Sequence, residues 1–97
     1  MLFQQGDVLF KKVSGIQGKK IARKIIAEGE TTGHKHVLTI GDGDLYEENG
    51  VLYLHCETEC TVTHEEHKPV TLPIGDYEIG IVREFDYVSE EARRVQD

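Results

Sequence analysis

Apolar and polar residues alternate along most of this chain in short runs, separated by turns that contain glycine. Successive side chains of a β-strand point to opposite faces, so an alternation with a period of two residues predicts half-buried strands. Eight runs show it, at 7–13, 20–27, 34–40, 45–48, 51–56, 60–64, 69–72 and 77–85. The pattern predicts an all-β fold, a small barrel or sandwich, with a single domain spanning residues 1–97.

The sequence also predicts local structure in three segments. Residues 20–27 also have apolar spacing that suits a helix, but their β-branched side chains favour a strand. Asn49-Gly50 is typical of a two-residue hairpin turn with positive φ at both positions. Ser89 is expected to cap a short C-terminal helix.

Two histidines lie on a face of a predicted strand that should be buried. His34 and His36 are two residues apart and share a face with Leu38 and Ile40. Imidazoles placed on such a face either bind a ligand or line a hydrated interior. An i, i+2 pair of histidines has the right spacing to bind one metal ion.

A second histidine pair follows from the same alternation. His64 ends the 60–64 run on the face of Cys60 and Val62, and His67 comes three residues later in a loop. His55 cannot be assigned to a face, because both faces of its run are apolar.

Neutral imidazole is the commonest protein ligand of zinc and other first-row divalent ions, which take three or four ligands. His34, His36 and His64 are the predicted ligands, with His67, Glu65 or Glu66 as a fourth. Zinc is the expected metal, with iron, manganese or nickel as other candidates. Three protein ligands would leave a position for water, whereas four would make a structural site. The alternative is that these are surface or strand-end histidines without a metal.

The hydrophobic and charged fractions, 38% and 30%, are those of a soluble globular chain. No apolar run reaches the roughly 20 residues of a membrane span, and the first residues lack the pattern of a signal peptide. We therefore expect a cytoplasmic protein without membrane contact.

Charge is unevenly distributed. Residues 1–24 contain six basic residues and one acidic residue, whereas the remainder contains five basic and 17 acidic residues. A solvated loop at the end of an edge strand would explain the basic segment. It could also meet the acidic face of another copy, so self-association as a homodimer is expected. Nucleic-acid binding is not expected, because no binding motif or interleaved aromatic residues accompany the charge.

Cys56 and Cys60 flank a three-residue turn, and segments 51–56 and 60–64 are predicted to pair around it as a hairpin. Two cysteines at this spacing fit neither a disulfide scaffold nor a Cys-x-x-Cys site, and small buried residues are expected instead. The sequence contains no recognisable nucleophile, phosphate-loop or dinucleotide motif.

Segment 29–36, Gly-Glu-Thr-Thr-Gly-His-Lys-His, and the later Pro73-Ile74-Gly75 turn resemble the two motifs of the cupin superfamily. In cupins, a glycine precedes His-x-His and a Pro-x-Gly turn precedes the last ligand strand. The resemblance implies a cupin-like barrel with a metal site. It implies no dioxygenase or isomerase activity, because this chain has no glutamate shortly after His36 and no histidine after Gly75.

A wider pattern is similar to small uncharacterised proteins of bacteria and their viruses. It comprises Gln-Gly-Asp-Val-Leu, Gly-Glu-x-Thr-Gly-His-x-His, His-Glu-Glu-His-x-Pro-Val-Thr-Leu-Pro and Arg-Glu-Phe-Asp-Tyr. This resemblance implies a bacterium or a virus-infected cell as the source, and no established activity.

Three functions remain open from the sequence. The first is a divalent-metal-binding module without catalytic residues. The second is a non-enzymatic viral or bacterial interaction or structural protein, a homo-oligomer whose histidines are incidental or respond to pH. The third is a small cupin-like metalloenzyme.

Overall fold

The computed structural model describes residues 1–29 and 33–82, and within them the chain forms ten strands. No helix in these two ranges is long and apolar enough to cross a membrane. The helix predicted at Ser89 and part of the Gly-Glu-x-Thr-Gly segment lie outside the described residues. The strands are β1 (Leu2–Gln5), β2 (Val8–Val13), β3 (Lys19–Ile21), β4 (Ile25–Glu28), β5 (Lys35–Ile40), β6 (Gly43–Glu48), β7 (Val51–Cys56), β8 (Cys60–Thr63), β9 (Val70–Leu72) and β10 (Gly75–Ile81).

The strands form two antiparallel sheets. One has six strands in the order β1-β2-β10-β7-β6-β3, and the other has four in the order β4-β5-β8-β9. Buried side chains from both sheets make one core, in which Phe10, Leu45 and Tyr77 of the first sheet meet Val62 and Leu72 of the second. The all-β prediction is confirmed, with two open sheets instead of a closed barrel.

The first hairpin departs from the prediction, which begins the first strand at residue 7. Leu2–Gln5 is a strand of its own and pairs with β2 in the register Gln5↔Val8, through a tight turn at Gly6 and Asp7. Gly6 has a φ of 59°, a conformation that glycine adopts at little cost. This hairpin brings Gln5 and Asp7 next to the histidines, as described below.

The predicted strand 20–27 is in fact two strands. Lys19–Ile21 pairs with β6 in the six-stranded sheet, and Ile25–Glu28 pairs with β5 in the four-stranded sheet. The β-branched residues suit a strand, but residues 22–24 interrupt it and the chain crosses there from one sheet to the other.

The predicted hairpin of segments 51–56 and 60–64 is wrong. β7 pairs with β6 and β10, whereas β8 pairs with β5 and β9 in the other sheet. The turn between them packs on the β5–β6 turn, where the N–H groups of Glu57 and Thr58 donate to Asp42 O at 2.8 and 3.3 Å. The turn therefore links the two sheets.

Two other local predictions had opposite outcomes. Asn49 and Gly50 have φ values of 53° and 81°, which confirms the hairpin turn. Ile40 was predicted to be buried with Leu38, yet Ile40 is 62% exposed and Leu38 is 6% exposed. The β5–β8 register shifts between these two residues, and such an irregularity changes the face on which later side chains lie.

Candidate functional site

The four predicted histidines lie together where β5 begins and β8 ends. The ring of His64 is central, with its centroid 5.6 Å from that of His34, 4.3 Å from His36 and 4.6 Å from His67. The rings of His36 and His67 are nearly parallel, with centroids 6.2 Å apart.

Strand pairing explains this proximity. Val37 of β5 pairs with Thr63 of β8, so the next residues outward, His36 and His64, are neighbours across the two strands. The alternation that buries Leu38 also buries His36, which is 4% exposed. His36 therefore lies on the face predicted for it, and His64, half-buried just after the end of β8, lies against its ring.

His36 is held by Gln5, a buried residue that the sequence did not single out as part of the site. The side-chain amide of Gln5 donates to the carbonyl oxygens of Val62 and Lys68, both at 2.9 Å. Its oxygen must then be the atom that faces His36 Nδ1 at 2.8 Å, and an amide oxygen can only accept. The neutral His36 ring therefore carries its proton on Nδ1 and its lone pair on Nε2.

The other side of the His36 ring faces a carboxylate. Nε2 lies 3.6 Å from Oδ1 of Asp7 in the β1–β2 turn. Burial is the main cause that lowers the pKa of His36, and the neighbouring His64 lowers it further, against a smaller opposing effect of Asp7. Gln5 and Asp7 were missed because β1 was missed. Gly6-Asp7 between two apolar runs is the turn signal that would have placed them there.

His64 is oriented from its other nitrogen. Nδ1 accepts from the backbone N–H of Glu66 at 3.0 Å and from that of His67 at 3.3 Å. The neutral ring therefore carries its proton on Nε2. These two contacts wrap the loop after β8 around the ring and bring His67 to its position.

The tightest group of ligand atoms includes a carboxylate. Among the described residues, His34, His64 and Glu65 offer ligand atoms that all lie within 4.8 Å of one another. Glu65 Oε1 accepts from the backbone N–H of Lys35 at 2.8 Å, and this bond is the main cause that lowers the pKa of the Glu65 carboxyl. Glu66 lies nearby, with Oε2 3.6 Å from His34 Nδ1. The sequence predicts Glu65 only as an alternative fourth ligand. His36, a predicted ligand, and His67, another candidate for the fourth, lie beside this group and not in it.

His55 lies apart from the cluster. It pairs with Asp76 of β10 in the strand register and lies opposite the buried Leu54 and Cys56 along β7. Hydrogen bonds to Asp76 and Glu57 raise the pKa of His55, and the bond to Asp76 contributes most.

Cys56 and Cys60 are free thiols and fully buried, as expected for small core residues. Burial raises the pKa of both thiols, most strongly that of Cys56. Thiols protonated to this degree are poor nucleophiles.

Part of the basic segment is paired within its own chain. The ammonium groups of Lys20 and Lys24 lie 3.6 and 3.7 Å from Asp44 Oδ1, and Lys24 also donates to Gly43 O. Lys20 belongs to β3, an edge strand of the six-stranded sheet.

The comparisons with known proteins give a family and no activity. A family model described as a domain of unknown function, DUF8820, matches residues 4–82, which include all four clustered histidines, Gln5 and Asp7. Neither a curated protein nor a solved structure matches the chain, so the cupin resemblance stays a prediction. Since the family model covers most of the chain, the protein belongs to the family of unknown function DUF8820.

Proposed function

We propose that this protein is a divalent-metal-binding β-domain whose metal is held by His34, His64 and Glu65. The observation that carries the proposal is the convergence of two imidazoles and one carboxylate, with ligand atoms within 4.8 Å of one another. His36 and His67 lie beside the group and complete a cluster of four imidazoles.

The chemistry of these residues suits zinc. Zinc takes neutral imidazole and carboxylate ligands at about 2.0 to 2.2 Å, which separates tetrahedral ligand atoms by about 3.4 Å. Ligand atoms that lie within 4.8 Å of one another need to approach by at most about 1.4 Å to reach that spacing. The hydrogen bond from Lys35 N–H favours the ionised form of Glu65, the form that binds a metal. Iron, manganese and nickel accept the same ligand types.

His64 must adjust on binding. Coordination at Nε2 replaces the proton that this nitrogen carries in the neutral ring. That proton either moves to Nδ1, which then releases the N–H groups of Glu66 and His67, or leaves the ring, which then keeps both hydrogen bonds as an imidazolate. Both routes change the surroundings of the two amides, so their NMR signals should shift as zinc is added.

Elemental analysis of protein prepared without an affinity tag tests the proposal. We expect about one tightly held equivalent of metal per chain, and loss of that equivalent in His34→Ala and in His64→Ala. His55→Ala is the matched control, because His55 lies outside the cluster and should leave the metal content unchanged. A wild-type protein without metal, whose thermal unfolding does not respond to added divalent ions, would overturn the proposal.

The role of the metal follows from a second measurement. Three protein ligands leave a position for water, which a weakly catalytic site needs and a structural site does not. A structural role predicts that chelation lowers the unfolding temperature markedly, because the metal links β5 to the loop after β8. A metal-free protein that keeps its fold, together with an exchangeable water on the metal when it is bound, would favour the metalloenzyme.

A second candidate function is that of a non-enzymatic interaction protein that self-associates. Among the described residues, Leu2, Ile40 and Ile74 are more than 60% exposed, and contact with a second copy would remove such apolar side chains from water. Light scattering at micromolar concentration should then report the mass of a dimer. A monomer at every concentration tested would exclude this function.

A further inference from the structure

We propose that His36 and Asp7 hold a second divalent cation beside the His34, His64 and Glu65 group. The cation would lie between His36 Nε2 and Asp7 Oδ1, which face each other at 3.6 Å. This position is additional to the proposed metal site, and the two can be tested separately.

Gln5 fixes the orientation of the His36 ring. Gln5 uses both N–H groups of its amide on the carbonyl oxygens of Val62 and Lys68, so its oxygen accepts from His36 Nδ1. Reversing the amide would place its oxygen against two carbonyl oxygens, which cannot donate. Gln5 is 2% exposed, so water does not readily replace these partners. The lone pair of the neutral His36 ring is thereby directed away from Gln5, at Nε2.

Nε2 of His36 faces the carboxylate of Asp7. Asp7 Oδ1 is also an acceptor and lies 3.6 Å from Nε2, so the neutral ring and the carboxylate repel each other unless the ring takes a second proton, which would donate to Asp7, or a cation lies between them. A cation between them removes this repulsion. The separation is close to the roughly 3.4 Å between two ligand atoms of a tetrahedral zinc ion. A carboxylate and an imidazole whose other nitrogen is held by a buried acceptor are the parts of a typical metal site.

The position between His36 and Asp7 is distinct from the proposed site at His34, His64 and Glu65. Neither Asp7 nor His36 is among the residues whose ligand atoms gather within 4.8 Å around His64. His67 borders both positions: a Cβ placed on Gly6 would lie 2.5 Å from His67 Nε2, so the ring rests against the turn that carries Asp7. The Asp7 side chain is 61% exposed, which gives a cation access from solvent.

Zinc titration of metal-free, tag-free protein by calorimetry tests the second position. We expect two equivalents per chain, the second bound more weakly. Asp7→Asn should weaken the second equivalent by about tenfold or more and leave the first unchanged. Asp42→Asn is the control, because Asp42 is an exposed aspartate in the β5–β6 turn and should keep both equivalents.

The outcomes separate the two proposals. His34→Ala should lose the first equivalent and retain the one that depends on Asp7. An Asp7→Asn isotherm identical to that of the wild type would overturn the second position alone, as would a wild type that binds one equivalent only. Long-range ¹H–¹⁵N spectra give an independent readout: His36 should keep its proton on Nδ1 while its Nε2 signal moves with the second equivalent. A Nε2 signal that does not move would also contradict the proposal.

Discussion

His55 donates a hydrogen bond from Nδ1 to Asp76 Oδ1 at 2.5 Å, and this bond joins β7 to β10 in the middle of the six-stranded sheet. The second nitrogen of the same ring, Nε2, lies 2.9 Å from Glu57 Oε1. A neutral imidazole carries one proton and can donate only once, so two carboxylates favour the doubly protonated ring. This arrangement raises the pKa of His55 in the folded protein above its ordinary value of 6.5.

The raised pKa predicts how stability depends on pH. The contribution of protonated His55 is fully present below about pH 6.5 and is lost as the pH rises through the higher pKa of the folded state. His55→Gln should therefore lower the free energy of unfolding by about 0.5 to 1 kcal/mol at pH 5.5, and by less at pH 9. Urea unfolding of both proteins at the two pH values measures this difference.

Two variants of the partners serve as controls. Asp76 is 22% exposed and Glu57 is 72% exposed, so solvent screens the second contact more. Asp76→Asn should reduce the pH dependence more than Glu57→Gln does. A gap between wild type and His55→Gln that is the same at pH 5.5 and pH 9 would contradict the assignment.

Gln5→Leu should destabilise the fold. The substitution leaves the carbonyl oxygen of Val62 and the N–H of His36 without their partner in a buried region, and removes a part-buried hydrogen bond to the carbonyl oxygen of Lys68. Unpaired buried polar groups cost about 1 to 3 kcal/mol each, and we expect a total loss of roughly 2 to 4 kcal/mol after local relaxation. Gln4→Leu is the control, because the Gln4 amide is exposed and its hydrogen bond among the described residues is to Gly6 O. Equal denaturation midpoints for the two variants would refute the structural role of Gln5.

Cys56 and Cys60 should be unreactive in the folded protein. Both side chains are fully buried and burial raises both pKa values, so the thiolate is scarce at pH 8. A chromogenic disulfide reagent should label neither thiol in native protein and both in urea. Ser14→Cys, at an exposed position, provides a thiol that should react under native conditions. Rapid native labelling of the wild type would show that the core opens there.

Gly41→Ala should weaken the contact between the β5–β6 turn and the β7–β8 turn. Gly41 has a φ of 98°, and a Cβ there would lie 2.3 Å from the carbonyl oxygen of Glu59. Backbone strain together with this clash should cost about 2 kcal/mol or more. Gly15→Ala is the matched control, since a Cβ at Gly15 meets nothing within 4 Å. A thermal scan of both variants gives the comparison, and a Gly41→Ala protein as stable as Gly15→Ala would exclude this packing.

Much of the histidine cluster could be predicted from the sequence because side-chain alternation is a local property of extended backbone. It placed His34, His36 and His64 on the buried face and His67 in the loop that follows. His36 is buried, whereas the His34 side chain is 30% exposed. The sequence also predicted the Asn49-Gly50 turn, which depends only on the conformations open to two residues. The prediction was wrong for Ile40, where a register shift against β8 changed the face.

Which sheet a strand joins is not a local property. The sequence alone determined an all-β chain and the faces of most strands, because these follow from a period of two residues. That the two histidine pairs meet depends on the pairing of β5 with β8. The tertiary structure decided that β7 and β8 separate into different sheets and that the β1–β2 hairpin brings Gln5 and Asp7 to His36. These arrangements depend on hydrogen bonds and burial between residues far apart in the chain. Gln5 and His36, separated by 31 positions, show this most directly.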